Sequence, residues 1–135
     1  MYELKIDAKV ANLDEVIAFL DKIMEEHEIP MKASMQLDIA VEEIFVNIAH
    51  YGYPEGEGTA KITVELPEDS SSIVIRFIDQ GTPYDPLKKP DPDITLTAED
   101  RPIGGLGIFM VKKSMDNMEY EYKDGCNVLT ITKSF

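Results

Sequence analysis

From residue 3 to residue 8, Leu4, Ile6 and Ala8 alternate with Glu3, Lys5 and Asp7, a period of two that predicts a half-buried strand. Asn12 then precedes Leu13, Val16, Ile17, Leu20 and Ile23 at helical spacing. Glu15, three residues after Asn12, completes a pattern like a capping box, and the helix is predicted to end near His27, ahead of Pro30. A second helix is predicted from about Lys32 to His50. At about 100° per residue, Leu37, Val41, Ile44, Phe45 and Ile48 share one arc, while Glu43, Asn47 and His50 share a roughly opposite one.

A turn-rich stretch, Tyr51-Gly52-Tyr53-Pro54 with Gly56 and Gly58, follows. Ile62, Val64 and Leu66 then alternate with polar residues, and Ile73, Ile75 and Phe77 alternate with Val74, Arg76 and Ile78. Joined by a turn over 68–71, these read as an antiparallel hairpin. The parity of its second strand puts Asp79 on the apolar side, where solvation would not place a carboxylate. Residues 80–103 hold five of the chain's eight prolines, together with Gly81, and no sustained period, the mark of a functional or disordered loop. Gly104-Gly105-Leu106-Gly107 opens an apolar helical run through Ile108, Phe109, Val111 and Met115, and Tyr120, Tyr122, the Asp124-Gly125 turn and residues 128–135 read as a closing hairpin. Strand pairs joined by short turns imply a mostly antiparallel sheet with the helices on one face, an α+β two-layer sandwich.

The chain has 135 residues, enough for one domain with a sizeable core, and a single domain over 1–135 is the expected organisation. Its formal charge of −13 disfavours nucleic acid and anionic membranes as partners, while a nucleotide remains admissible at a locally favourable site. The charge is uneven: residues 1–78 carry a net −10 and residues 79–113 only −1. No apolar stretch approaches the ~20 residues of a membrane-spanning helix, and the first residues lack a basic-then-apolar signal pattern, so the cytoplasm is the expected compartment. Cys126 is the one cysteine, which rules out an internal disulfide.

Three features carry candidate chemistry. Glu43 and Asn47 lie one helical turn apart; this is either a solvated helix face or a pair in which the amide oxygen of Asn47 suits Mg²⁺ and Glu43 suits a general base. Asp79-x-Gly81 at a strand end either caps the following turn or accepts a hydrogen bond from the amino group of a buried heterocycle such as adenine. The glycines at 104, 105 and 107 either permit positive φ at a loop-to-helix turn or allow close backbone approach to phosphate. They lack the Gly-Lys-Ser/Thr ending of a P-loop.

In this order and spacing the three features resemble the N, G1 and G2 boxes of the GHKL ATPase superfamily. The stretches Val41-Glu42-Glu43-Ile44-Phe45-Val46-Asn47, Asp79-Gln80-Gly81-Thr82-Pro83-Tyr84-Asp85-Pro86 and Gly104-Gly105-Leu106-Gly107-Ile108 are similar to those of its anti-sigma-factor serine/threonine kinases. No phosphoacceptor-histidine or transducer segment flanks them, which disfavours sensor kinases and gyrase-like enzymes. The resemblance implies a Bergerat-type ATP-binding fold, with Asn47 holding Mg²⁺, Glu43 as base and Asp79 reading the adenine amino group. It further implies that Gly81 lines the adenine pocket, residues from about Asp85 to Ile103 form a lid, and Gly104, Gly105 and Gly107 approach the phosphates. The family's members use ATP, bind a sigma factor, phosphorylate a serine of a STAS-type antagonist and work as homodimers. Arg101 is the lid cation closest to the glycines, ahead of Lys88 and Lys89. Two departures stand out. His50 is displaced by one position from the histidine that often ends the N box, and Cys126 follows Gly125 where a threonine that helps bind adenine is usual. These departures motivate a second reading, a nucleotide-binding partner-switching module that sequesters its target without turnover.

Overall fold

The computed structural model describes residues 1–53, 57–68, 71–88 and 105–135. The chain runs β1 (Tyr2–Asp7), α1 (Leu13–Glu26), α2 (Met31–Asn47), β2 (Thr59–Glu65), β3 (Ser72–Asp79), α3 (Gly105–Ser114), β4 (Asn117–Lys123) and β5 (Cys126–Ser134). The strands form one sheet in the order β1-β2-β3-β5-β4, and every neighbouring pair is antiparallel. β5 therefore returns between β3 and the edge strand β4, and this places Asn127 opposite Asp79.

Alternation governs the sheet as the sequence predicts. In β3, Ile73, Ile75, Phe77 and Asp79 are buried while the residues between them are only half-buried. In β5, Asn127, Leu129 and Ile131 are buried on the same principle. The buried faces meet Val16 and Leu20 of α1 and Leu37, Val41, Ile44 and Phe45 of α2, giving one core between the sheet and the helical layer. No helix among the described residues is long and apolar enough to cross a membrane.

Local details correct the sequence reading in two places. Asn12 precedes α1 without capping it through its side chain. Its amide donates instead to the carbonyl of Asp7 (3.0 Å), tying the helix entry to the end of β1. The second helix does not run regularly to His50. It ends at Asn47 and widens into a π-turn over Ile48–Gly52, a change of pitch that often accompanies functional sites. At the β4–β5 hairpin, Asp124 and Gly125 both take positive φ (54° and 78°), as a two-residue turn matched to strand twist requires.

Candidate functional site

A cavity opens where α2, the ends of β3 and β5, and α3 converge. Asn47, Asp79, Tyr84, Ile108, Tyr120 and Asn127 contribute to its wall, with Phe77 and Leu129 at its apolar floor. The sheet and helices bring the sequence-predicted residues together: Asn47 and Asp79 share the cavity, and Glu43 lies one turn before Asn47 on α2. About 40 Å³ is open to solvent in this state, room for only a few waters.

Asp79 caps the turn that follows it, the first of the two roles its sequence position left open. Its Oδ1 accepts the Gly81 N–H (2.9 Å), which closes a turn, and also the Asn127 side-chain amide (3.0 Å). Only 6% of the residue is exposed. Gly81 is held against the π-turn: a Cβ there would lie 2.1 Å from the Gly52 carbonyl oxygen, which also accepts the Thr82 N–H at 2.8 Å. Backbone packs directly on backbone here, so glycine is a steric requirement. Tyr53 fastens the same segment. Its hydroxyl accepts the Gln80 N–H (2.9 Å) and donates to the Thr59 carbonyl (2.6 Å), joining the residue after Asp79 to the start of β2. Nothing in the spacing of Tyr53 signalled this.

Glu43 and Gly107 are in direct juxtaposition. A Cβ on Gly107 would lie 2.2 Å from the Glu43 carboxyl carbon and 2.3 Å from Oε2, so the carboxylate occupies the space a side chain there would need. Burial, and secondarily the negative charge of Glu42, raise the Glu43 pKa above its ordinary value, the direction that strengthens a carboxylate as a base. Among the described residues, the Nδ2 of Asn47 is buried without a hydrogen-bond partner. Turning the amide over replaces that orphan donor with an oxygen, a hard ligand beside the Glu43 carboxylate, and this donor set fits Mg²⁺.

His50 is exposed and does not line the cavity; its ring lies 6.2 Å from that of Tyr51, and Tyr51 stacks on Tyr84 at the rim (5.7 Å, 24°). Cys126 pairs with Lys123 at the hairpin, its Sγ near the Asp124 carbonyl (3.8 Å). The residue turned toward Asp79 is therefore Asn127, and Cys126 does not take the place of the expected threonine. The signal was present in the parity of β5, since Asn127, Leu129 and Ile131 share a face. Gly105 begins α3, whereas Gly104, Arg101, Lys89 and most of the expected lid lie outside the described residues. The beginning of that lid is a short turn over Pro86–Lys88, in which the Asp85 carboxylate accepts the Leu87 N–H (2.8 Å).

The five-stranded antiparallel sheet, its helical layer and this convergence of α2, Asp79 and α3 define an ATPase domain of the GHKL type. The model of the histidine kinase-like ATPase domain family matches residues 6–133, and the chain belongs to that family. Among its relatives, it is 25% identical over 130 residues to the serine/threonine-protein kinase BtrW of Bordetella bronchiseptica, across 96% of this chain and 89% of that protein. It is 31% identical over 102 residues to the serine-protein kinase RsbW of Listeria monocytogenes, across 73% and 64% respectively. The RsbW of Bacillus cereus is 31% identical over 97 residues, 69% of this chain and 59% of that protein. The chain thus spans less than two thirds of the two RsbW proteins.

Proposed function

We propose that this protein is an ATP- and Mg²⁺-dependent serine/threonine protein kinase that acts as an anti-sigma factor in the cytoplasm as a homodimer. It transfers the γ-phosphate of ATP to a serine of a STAS-type antagonist and sequesters a sigma factor. The observation that carries the reading is the convergence on one cavity of Asn47, Asp79 and the first turn of α3, with the Glu43 carboxylate packed on Gly107. The relatives named serine or serine/threonine kinases support it.

In this reading Asp79 accepts the amino group of adenine, and the apolar floor of Phe77 and Leu129 receives the ring. Asn47 would hold Mg²⁺ through its amide oxygen, and the metal supplies neutralisation of phosphate charge. Glu43 takes the proton of the attacking serine hydroxyl as its oxygen bonds to the γ-phosphorus and the bond to the β–γ bridging oxygen breaks, leaving ADP. Gly105 and Gly107 let backbone approach the phosphates, and Gly104 and Arg101 are assigned to the same end of the nucleotide. The acidic surface contributed by residues 1–78 suits a partner with basic groups.

The test is phosphate transfer from γ-labelled ATP to STAS-domain proteins. Wild type should label a serine, and Glu43→Ala should retain Mg²⁺-ATP binding while transfer falls at least ~100-fold, the usual weight of a general base. Asn47→Ala should abolish the Mg²⁺-dependent rise in melting temperature. Binding of Mg²⁺-ATP without transfer to any STAS-domain protein would replace the kinase with a module that sequesters its target without turnover. No binding of ATP at all would overturn the reading.

A further inference from the structure

We infer that Asn127 is the positioning residue of the base-reading carboxylate, and that it fixes Asp79 so the cavity accepts a 6-amino purine and rejects a 6-keto purine. The inference rests on the ATP-binding reading and extends it to a residue outside the three motifs.

Asn127 is 6% exposed and sits opposite Asp79 in the β3–β5 register, although the two are 48 residues apart in the chain. Its hydrogen-bonding capacity is fully engaged. The Nδ2 group donates to Asp79 Oδ1 (3.0 Å) and to the Thr82 carbonyl (3.0 Å), with the Gly81 carbonyl at 3.4 Å. The Oδ1 atom accepts the Tyr84 N–H (3.1 Å) and the Tyr120 hydroxyl.

The orientation of this amide follows from the chemistry of its partners. A backbone N–H can only donate, and backbone carbonyls can only accept, so the reversed amide would face donor with donor and acceptor with acceptor. Asn127 consequently presents a donor to Asp79. Together with the Gly81 N–H, that donor occupies Oδ1, and among the described residues no hydrogen bond falls on Oδ2. One carboxylate oxygen is tied down and the other is left as an acceptor beside the cavity. An exocyclic amine satisfies it; a keto oxygen at the same place meets acceptor with acceptor and supplies no donor there.

Tyr120 buttresses the arrangement from the edge strand, since its hydroxyl and the Tyr84 N–H hold the far end of the amide.

The experiment measures affinity for ADP and for IDP, which differ only in the group at purine position 6 and the associated N1 proton and share every contact to ribose and phosphate. Wild type should favour ADP by about 100-fold, the order expected when one buried acceptor is left without its donor. Asn127→Ala and Asn127→Asp should bring the ratio below about tenfold. Affinity for IDP should change less than affinity for ADP. Tyr120→Phe, which keeps the amide and removes one of its two anchors, should lower the ratio by roughly threefold and decides the matter if the Asn127 variants do not fold. A wild-type preference for ADP that survives in Asn127→Ala, or in Tyr120→Phe when only that variant folds, overturns the role of Asn127 and leaves ATP binding standing. Failure of wild type to bind either nucleotide overturns the ATP reading, and this inference with it.

Discussion

The carboxylate of Glu43 fills the space that any side chain at Gly107 would occupy, with the carboxyl carbon 2.2 Å from the position of a Cβ. Because the obstructing atoms are the far end of a flexible side chain, the conflict is relieved by moving Glu43 and not the backbone. Alanine is also about 1 kcal/mol better than glycine in a helix. Gly107→Ala should therefore keep its melting temperature within a few degrees of wild type while phosphate transfer falls at least ~10-fold. Equal loss of stability and activity in thermal melts and transfer assays would refute this separation.

Gly81 presents the opposite case. Its virtual Cβ lies 2.1 Å from the Gly52 carbonyl oxygen and 2.6 Å from the carbonyl carbon, both backbone atoms that cannot rotate away. Gly81→Ala should cost about 2–3 kcal/mol in urea unfolding and weaken nucleotide binding, because Asp79 and the π-turn are forced apart.

Tyr53 links Gln80 to Thr59 through one hydroxyl. In Tyr53→Phe the Gln80 N–H and the Thr59 carbonyl lose that partner, at a cost of about 1–2 kcal/mol. Hydrogen exchange should quicken at Gln80 and Gly81 before it does in the central strands. Unchanged exchange there would show that the hydroxyl does not hold the segment.

Asp38 of α2 and Asp21 of α1 meet carboxyl to carboxyl. Burial, then the hydrogen bond and charge of Asp21, raise Asp38 from its ordinary 3.8 to about 7. The folded state then holds a proton that the unfolded chain has released between those two values. Stability should fall as pH rises through that window and level off above it. Asp38→Asn should flatten this part of the melting-temperature profile and raise the value at pH 8 by a few degrees, as about 1 kcal/mol would in a domain of this size. A profile with the same slope in the variant would place the proton elsewhere.

Much of the fold was legible because its causes are local. Alternation set the faces of β1, β2 and β3, and placed Asp79 among buried residues before any neighbour was known. Helical spacing separated the buried arc of α2 from Glu43 and Asn47, and the Asp124-Gly125 pair marked its hairpin. The capping reading of Asn12 failed because its amide has a tertiary partner, the Asp7 carbonyl, that a local pattern cannot reveal. The pitch change after Asn47 was equally hidden, since the residues of the π-turn are fixed by the Gly81–Thr82 backbone packed against Gly52.

By itself the sequence determined the strand and helix order, the apolar faces and the spacing of Glu43, Asn47, Asp79 and the glycines, all of which depend on chain periodicity and residue chemistry. Only the tertiary structure decided that Asn127 and not Cys126 confronts Asp79, that Tyr53 and Gly52 brace the Asp79–Gly81 segment, and that Glu43 rests on Gly107. Each of these depends on how strands pair and helices pack across dozens of residues. A one-residue change of register would turn a different side chain inward, and no local pattern fixes that choice.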